Sequence, residues 1–243
     1  MLSGSVSVPE IAMQLPYRLY VPKSYDRTRA YPLILFLHGS GSNGDDNVSQ
    51  LVRSVEVLVT EAQRYEPAFV LAPQCPRGTK WVVRPVPRPP FLNYDQSSMA
   101  EGEAAKLVIV ALDEILQKYS VAEDRIYITG MSSGGTGTWD AITRHPSRFA
   151  AAIPITGAND PSRAPVIADM PIWTFHGELD ELSPVQNTRE MVRELRRLGS
   201  PVRFTELENV GHNSWGPAYA DERLFRWLFA QKRAVPSRKR GAE

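Results

Sequence analysis

A serine set among glycines, Gly130-Met131-Ser132-Ser133-Gly134, is the group in this chain whose setting most clearly suits a nucleophile. A serine hydroxyl attacks poorly until a base takes its proton and an acid orients that base. Both partners follow in the chain. Asp180 closes His176-Gly177-Glu178-Leu179-Asp180, and His212 lies in Gly211-His212-Asn213-Ser214-Trp215. Such a set does acyl transfer: Ser132 attacks a carbonyl carbon, an oxyanion forms, and water later releases the acyl group. The oxyanion needs backbone donors. His38-Gly39-Ser40-Gly41 offers the Ser40 amide, with Gly41 close enough to serve instead, and Ser133 follows the nucleophile directly.

These residues need elements to hold them. The stretch 124–129 reads as a short buried strand and 133–144 as a helix, so the glycine-flanked serine falls on a sharp strand-to-helix turn. The apolar run 33–37 reads as a central parallel strand ending at the Gly-rich loop. Asp180 and His212 each sit on a loop after a strand-like run, 172–175 and 202–207. In an open α/β sheet such strand ends converge on one edge. Further strands are expected at 17–21, 68–72 and 150–155, and helices at 48–65, 99–119, 185–198 and 219–230. The alternation predicts an α/β fold, a mostly parallel sheet with helices on both faces, as one domain over 1–243.

One segment breaks the alternation. Residues 74–98 carry Pro76, Pro85, Pro87, Pro89 and Pro90 with Trp81, Phe91 and Tyr94, which excludes a regular helix or central strand. It leaves a strand end on the catalytic edge. It is expected to be an ordered flap with Trp81 as a pocket wall, and Gln74 and Trp215 are further candidates for substrate contact.

Rival readings are weaker. Ser133 has the wrong glycine offset for a nucleophile. Glu178 and Glu181 read as solvated loop charges and Asp160 as a turn former in Asn159-Asp160-Pro161. His38 reads as structural, and His145 before Pro146 as a helix end. Gly39-Ser40-Gly41-Ser42-Asn43-Gly44 has dinucleotide-loop spacing, but the acid some 20 residues on, Glu61, sits in a helical pattern. No spacing suggests a metal, and no cofactor is expected.

The 243 residues are 42% hydrophobic with a formal net charge of +1, which suits one large core and argues against general nucleic-acid binding. No apolar run has the length of a membrane span. The lone Cys75 excludes an intrachain disulfide and reads as a small semi-buried residue. The first ten residues lack a basic and an apolar stretch, so no signal peptide is expected. The chain as given reads as cytoplasmic, with secretion open if a leader was removed beforehand. The basic tail 232–243 is expected to fray, and the sequence does not fix an oligomeric state.

The chain resembles the α/β-hydrolase superfamily and, more narrowly, dienelactone-hydrolase-like esterases related to prolyl oligopeptidase catalytic domains, a subgroup with feruloyl-esterase-like and "predicted peptidase" members. The resemblance rests on the run from Tyr31 to Gly41, Asp45-Asp46-Asn47, Val70-Leu71-Ala72-Pro73-Gln74-Cys75-Pro76, the serine turn, and the stretches holding Asp180 and His212. It implies Ser132, Asp180 and His212 as nucleophile, acid and base, His176 as a shaper of the acid loop, a small-molecule ester substrate, and no cofactor. Ser133 stands where relatives often have Met, Leu182-Ser183 where they often have valines, and Ser42-Asn43-Gly44 where they carry more charge. The expectation is a carboxylesterase-type serine hydrolase. A small-amide hydrolase of the same superfamily and a non-catalytic binding protein on its scaffold are the alternatives.

Overall fold

The computed structural model describes residues 1–52, 54–84 and 88–234. Eight strands form one sheet: β1 (Leu2–Val6), β2 (Leu15–Tyr20), β3 (Tyr31–Leu37), β4 (Phe69–Pro73), β5 (Val121–Met131), β6 (Ala151–Ile155), β7 (Trp173–Gly177) and β8 (Arg203–Leu207). Their order is β1-β2-β4-β3-β5-β6-β7-β8. β2 runs antiparallel to both β1 and β4, and the pairs from β4 to β8 are parallel.

The helices are α1 (Val55–Tyr65), α2 (Glu103–Lys118), α3 (Ser133–Arg144), α4 (Gln186–Arg197), α5 (Trp215–Tyr219) and α6 (Glu222–Phe229). Side chains of a strand alternate between faces, and β3 shows how this divides the core. Leu33, Leu35 and Leu37 belong to one core cluster with Leu107 and Ala111 of α2, Trp139 and Ile142 of α3, and Met191 and Leu195 of α4. Ile34 and Phe36 pack on the other face with Leu58 of α1 and Leu224 and Phe225 of α6. All seven β3 residues are therefore buried. The expected mostly parallel sheet with helices on both faces is what the chain forms.

Several helix boundaries differ from the sequence reading, each for a local reason. The expected 48–65 helix starts only at Val55, because the Asp46 carboxylate accepts from the Val48 and Ser49 amides and holds that stretch in a tight turn. The expected 219–230 helix is α6, starting only at Glu222, because Asp221 caps its start by accepting from the Arg223 amide, and the short α5 just before it was not expected. β1 was not expected: of its residues only Val6 is buried, so its apolar alternation is faint. Of the Pro-rich segment, Pro85 and Pro87 lie outside the described residues, as does 235–243 of the basic tail. Arg233, at the start of that tail, is tied to the fold, its amide donating to the Asp124 carbonyl at 2.9 Å.

The helix after the serine turn lies unusually close to the sheet. A Cβ on Gly134 would strike the Leu37 and His38 carbonyls, and one on Gly135 those of Ile155 and Thr156. At Gly41 a Cβ would meet nothing within 4 Å. Gly134→Ala is thus expected to destabilise by about 3 kcal/mol or to prevent soluble folding, whereas Gly41→Ala stays within about 1 kcal/mol of the parent. Urea unfolding of both variants checks the contrast.

Candidate active site

Ser132 stands between β5 and α3 with φ 57° and ψ −118°. A positive φ in a non-glycine residue is strained by about 1–3 kcal/mol, and here the close seating of α3 enforces it. The turn is pinned by the Ser132 amide, which donates to Ile155 O at 3.1 Å, and by the Ser132 carbonyl, which accepts from Thr136 N at 3.0 Å. The hydroxyl is thereby held above the end of β5, where Ser132 Oγ meets His212 Nε2 at 2.8 Å. His212 Nδ1 meets Asp180 Oδ2, also at 2.8 Å. A carboxylate only accepts, so Nδ1 carries the hydrogen and Nε2 is left to accept from the serine.

Asp180 is held on every side. Oδ1 accepts from the Leu182 and Ser183 amides at 3.0 and 2.9 Å. Oδ2 accepts from His212 and from Thr156 Oγ1, the latter at 2.6 Å. The group is 5% exposed. Burial alone would push its carboxyl up, but the hydrogen bonds outweigh this and hold it well below the usual carboxylate range.

Behind Asp180 lies a second layer. His176, fully buried, places Nε2 2.7 Å from both Ser183 O and Thr156 Oγ1, and Nδ1 2.7 Å from Thr188 Oγ1. The Ser183 carbonyl can only accept, so Nε2 bears hydrogen. Thr156 has φ 56°, a conformation that a β-branched residue rarely adopts. It follows β6 directly, and that backbone aims its hydroxyl at Asp180.

The loops after β7 and β8 lock together. Leu179 N donates to Val210 O at 2.9 Å, and Gly177 sits where a Cβ would strike the Val210 and Gly211 carbonyls. Glu178, the nearest rival acid, accepts instead from the Asn209 amide. Asp160 caps a turn through Ser162 N, and His145 pairs with Glu101.

The Gly-rich loop after β3 is built on His38. Its Nδ1 donates to Gly39 O at 2.7 Å and its Nε2 accepts from Cys75 N at 2.9 Å, which fixes a neutral ring. Complete burial pushes its pKa down to about 4. The Trp81 indole donates to His38 O at 2.9 Å. Among the described residues, the Ser40, Gly41 and Ser133 amides have no backbone acceptor, and Ser40 and Ser133 flank the space beside Ser132.

The expected substrate contacts fall into different places. Trp215 walls the cavity of about 360 Å³ that holds Ser132 and His212, with its ring edge-on to His212 at 5.8 Å. Trp81 walls a neighbouring cavity of about 260 Å³ with Ser40 and Ser133, although it is only 2% exposed and belongs equally to the core. Gln74 does not face either cavity. It is buried beneath the loop, accepting from Asn47 N and donating to Ser42 O and Asp46 Oδ1, so its polar atoms are spent on holding the loop. Cys75 is buried, with its thiol pushed up to about 11 by burial. Thr156 went unnoticed in the sequence; its position at a strand end on the catalytic edge was the available signal. Among the described residues no group of three or more His, Cys, Asp or Glu gathers as metal ligands would.

The fold and this strand-edge site define an α/β-hydrolase. The profile of the esterase PHB depolymerase family matches residues 15–159, and the chain belongs to that family. A thermostable esterase of known structure is 40% identical, with a TM-score of 0.87 over 96% of this chain and 63% of its own. An uncharacterized secreted protein of Arthroderma benhamiae is 24% identical over 88% of this chain and 24% of its own length. A bifunctional acetylxylan esterase/xylanase of Neocallimastix patriciarum is 26% identical over 44% of this chain and 17% of its own. The chain thus spans under two thirds of the length of each of these relatives.

Two measurements follow from this geometry. Thr156→Val keeps the volume and removes the donor to Asp180; under the ester-hydrolase reading proposed below, turnover should fall about tenfold with little change in KM, and an unchanged kcat would show that the hydroxyl does nothing for Asp180. His38 gives a pH signature. Its folded pKa lies below the ordinary 6.5, so the unfolded chain binds more protons between about pH 6.5 and 4, and stability drops as pH falls through that window. The full contribution is about 3 kcal/mol, and His38→Gln should remove that part of the pH slope in urea unfolding.

Proposed function

We propose that this protein hydrolyses carboxylic esters through an acyl-enzyme on Ser132, with His212 as base and Asp180 as orienting acid. The observation that carries the reading is the hydrogen-bonded row Ser132 Oγ–His212 Nε2 and His212 Nδ1–Asp180 Oδ2, both links 2.8 Å, at a strained strand-to-helix turn. Membership of an esterase family and likeness to a thermostable esterase support the same class of chemistry.

In this mechanism His212 Nε2 takes the Ser132 proton as Oγ attacks the acyl carbon. Asp180 keeps the hydrogen on Nδ1 and stabilises the imidazolium. The Ser40 and Ser133 amides donate to the oxyanion, each contributing about 3 kcal/mol to the transition state. His212 then gives its proton to the leaving alcohol, and water repeats the sequence on the acyl-serine. The substrates are small-molecule esters, and the mechanism calls on no cofactor. Among the described residues no helix is long and apolar enough to cross a membrane.

Ser132→Ala is expected to reduce hydrolysis of p-nitrophenyl acetate by at least about 10³-fold and to abolish labelling by a fluorophosphonate, while Ser133→Ala retains labelling because only its amide is required. Asp180→Asn should lower kcat by on the order of 10²–10⁴. Persistent labelling of Ser132→Ala would move the nucleophile elsewhere. Equal kcat/KM on p-nitroanilides and p-nitrophenyl esters would favour the amide-hydrolase alternative.

A further inference from the structure

Two cavities meet at Ser40, and they differ in what they offer. The larger contains His212 and Trp215. The smaller is walled by Ser40, Ser133, Trp81, Arg84 and Phe91, with Lys80 at its exposed rim. A leaving alcohol must reach His212 Nε2 to be protonated, so it belongs in the larger cavity and the acyl group in the smaller.

The smaller cavity carries cations and no carboxylate on its walls. Arg84 is half-buried, and its guanidinium lies over the Phe91 ring, 4.5 Å from the centroid. A guanidinium has five N–H donors. Among the described residues, no hydrogen-bond acceptor and no carboxylate answers those of Arg84. Burial pushes its pKa down, opposed only by the Tyr94 phenol. Two other partly buried arginines here are neutralised, Arg125 by Glu66 and Arg144 by Asp140, while Arg18 and Arg163 pair with no carboxylate among the described residues and line neither cavity. An unpaired, partly desolvated guanidinium is costly unless an anion completes it. In the same wall, Ser133 Oγ is shielded from water and has no partner among the described residues. Phe91 is fixed in place by its amide, which donates to Leu182 O at 2.8 Å beside the acid loop, so the stacked arginine sits on a braced platform.

We propose that Arg84, with Lys80 at the rim, forms a carboxylate-binding subsite at the end of the acyl cavity, and that the preferred substrates are half-esters of short dicarboxylic acids. A carboxylate would take paired N–H donors of the guanidinium, the geometry in which such contacts are strongest. The cavity, about 260 Å³, suits a short acyl chain with its far end at Arg84. The inference rests on the esterase reading, and the test separates the two.

The test compares kcat/KM, followed by pH-stat, for monoethyl succinate against ethyl butyrate and for monoethyl adipate against ethyl hexanoate. The parent should favour the better half-ester over its neutral match by at least about tenfold. Arg84→Gln should bring that ratio close to one, mostly through KM, and Arg84→Lys should restore part of it. Each ratio is taken on one preparation, so a partly unfolded variant does not distort it. 4-Acetoxybenzoate, whose carboxylate is on the alcohol side, should gain nothing over phenyl acetate. A parent ratio near one, or a preference that survives Arg84→Gln, overturns the subsite. A gain on 4-acetoxybenzoate overturns its placement on the acyl side. If no ester is turned over, the esterase reading fails, and calorimetry with adipate then decides the subsite alone: binding lost in Arg84→Gln sustains it, and no binding to the parent overturns it.

Discussion

The close seating of α3 on the sheet is the constraint from which the site follows. The Gly134 and Gly135 backbones lie against the carbonyls at the ends of β3 and β6, at distances no side chain would allow. That approach leaves the chain no room for an ordinary turn after β5, so Ser132 takes a positive φ and its hydroxyl stands clear of the sheet. The same contact fixes where the ends of β3 and β6 lie relative to the serine. The Gly-rich loop grows from one of these ends and Thr156 from the other. A single steric fact therefore sets the serine, the loop amides beside it and the support for Asp180.

The rest of the site is built by loops that brace one another. The loops after β7 and β8 are joined by the Leu179–Val210 hydrogen bond, and Phe91 of the Pro-rich segment is tied to Leu182. Asn93 and Asn187 extend the connection, with Asn93 N donating to Asn187 Oδ1 at 3.0 Å. The stretch around Phe91 and Asn93 is thus held by side-chain and backbone donors where it lacks secondary structure. Loops carrying functional groups need such bracing, because they have no ladder of their own.

Much of this was legible in the sequence. The glycine spacing around Ser132, the apolar run 33–37 and the loops after strand-like runs marked the strand ends, and a parallel sheet brings those ends to one edge. Ser132, Asp180 and His212, far apart in sequence, are indeed in hydrogen-bond contact. Other features left little trace. Thr156 adopts a backbone conformation that its own propensity opposes, so only tertiary packing explains it. Gln74 is polar and next to a strand end, as a substrate contact would be, yet three hydrogen bonds turn it inward. Arg84 lies in a segment with no period to read, and the subsite proposed for it depends on no carboxylate pairing with it among the described residues. Helix starts slipped wherever a side chain such as Asp46 or Asp221 captured the backbone first.

The donors around Asp180, with the His176 ring 3.3 Å from Oδ2 behind them, have a consequence for how the site responds to a change in charge. In water a carboxylate is solvated by dipoles that must turn whenever a neighbouring charge appears or vanishes. Here those dipoles are the amides of Leu182 and Ser183, the Thr156 hydroxyl and the His212 ring, all fixed by covalent and packed structure. In the mechanism proposed above, a positive charge arising on the imidazole would therefore meet a field that is already oriented, and little reorganisation energy would be spent in accommodating it. Because the carboxylate is 5% exposed, mobile ions screen that field much less than they would the field of a charge at the surface.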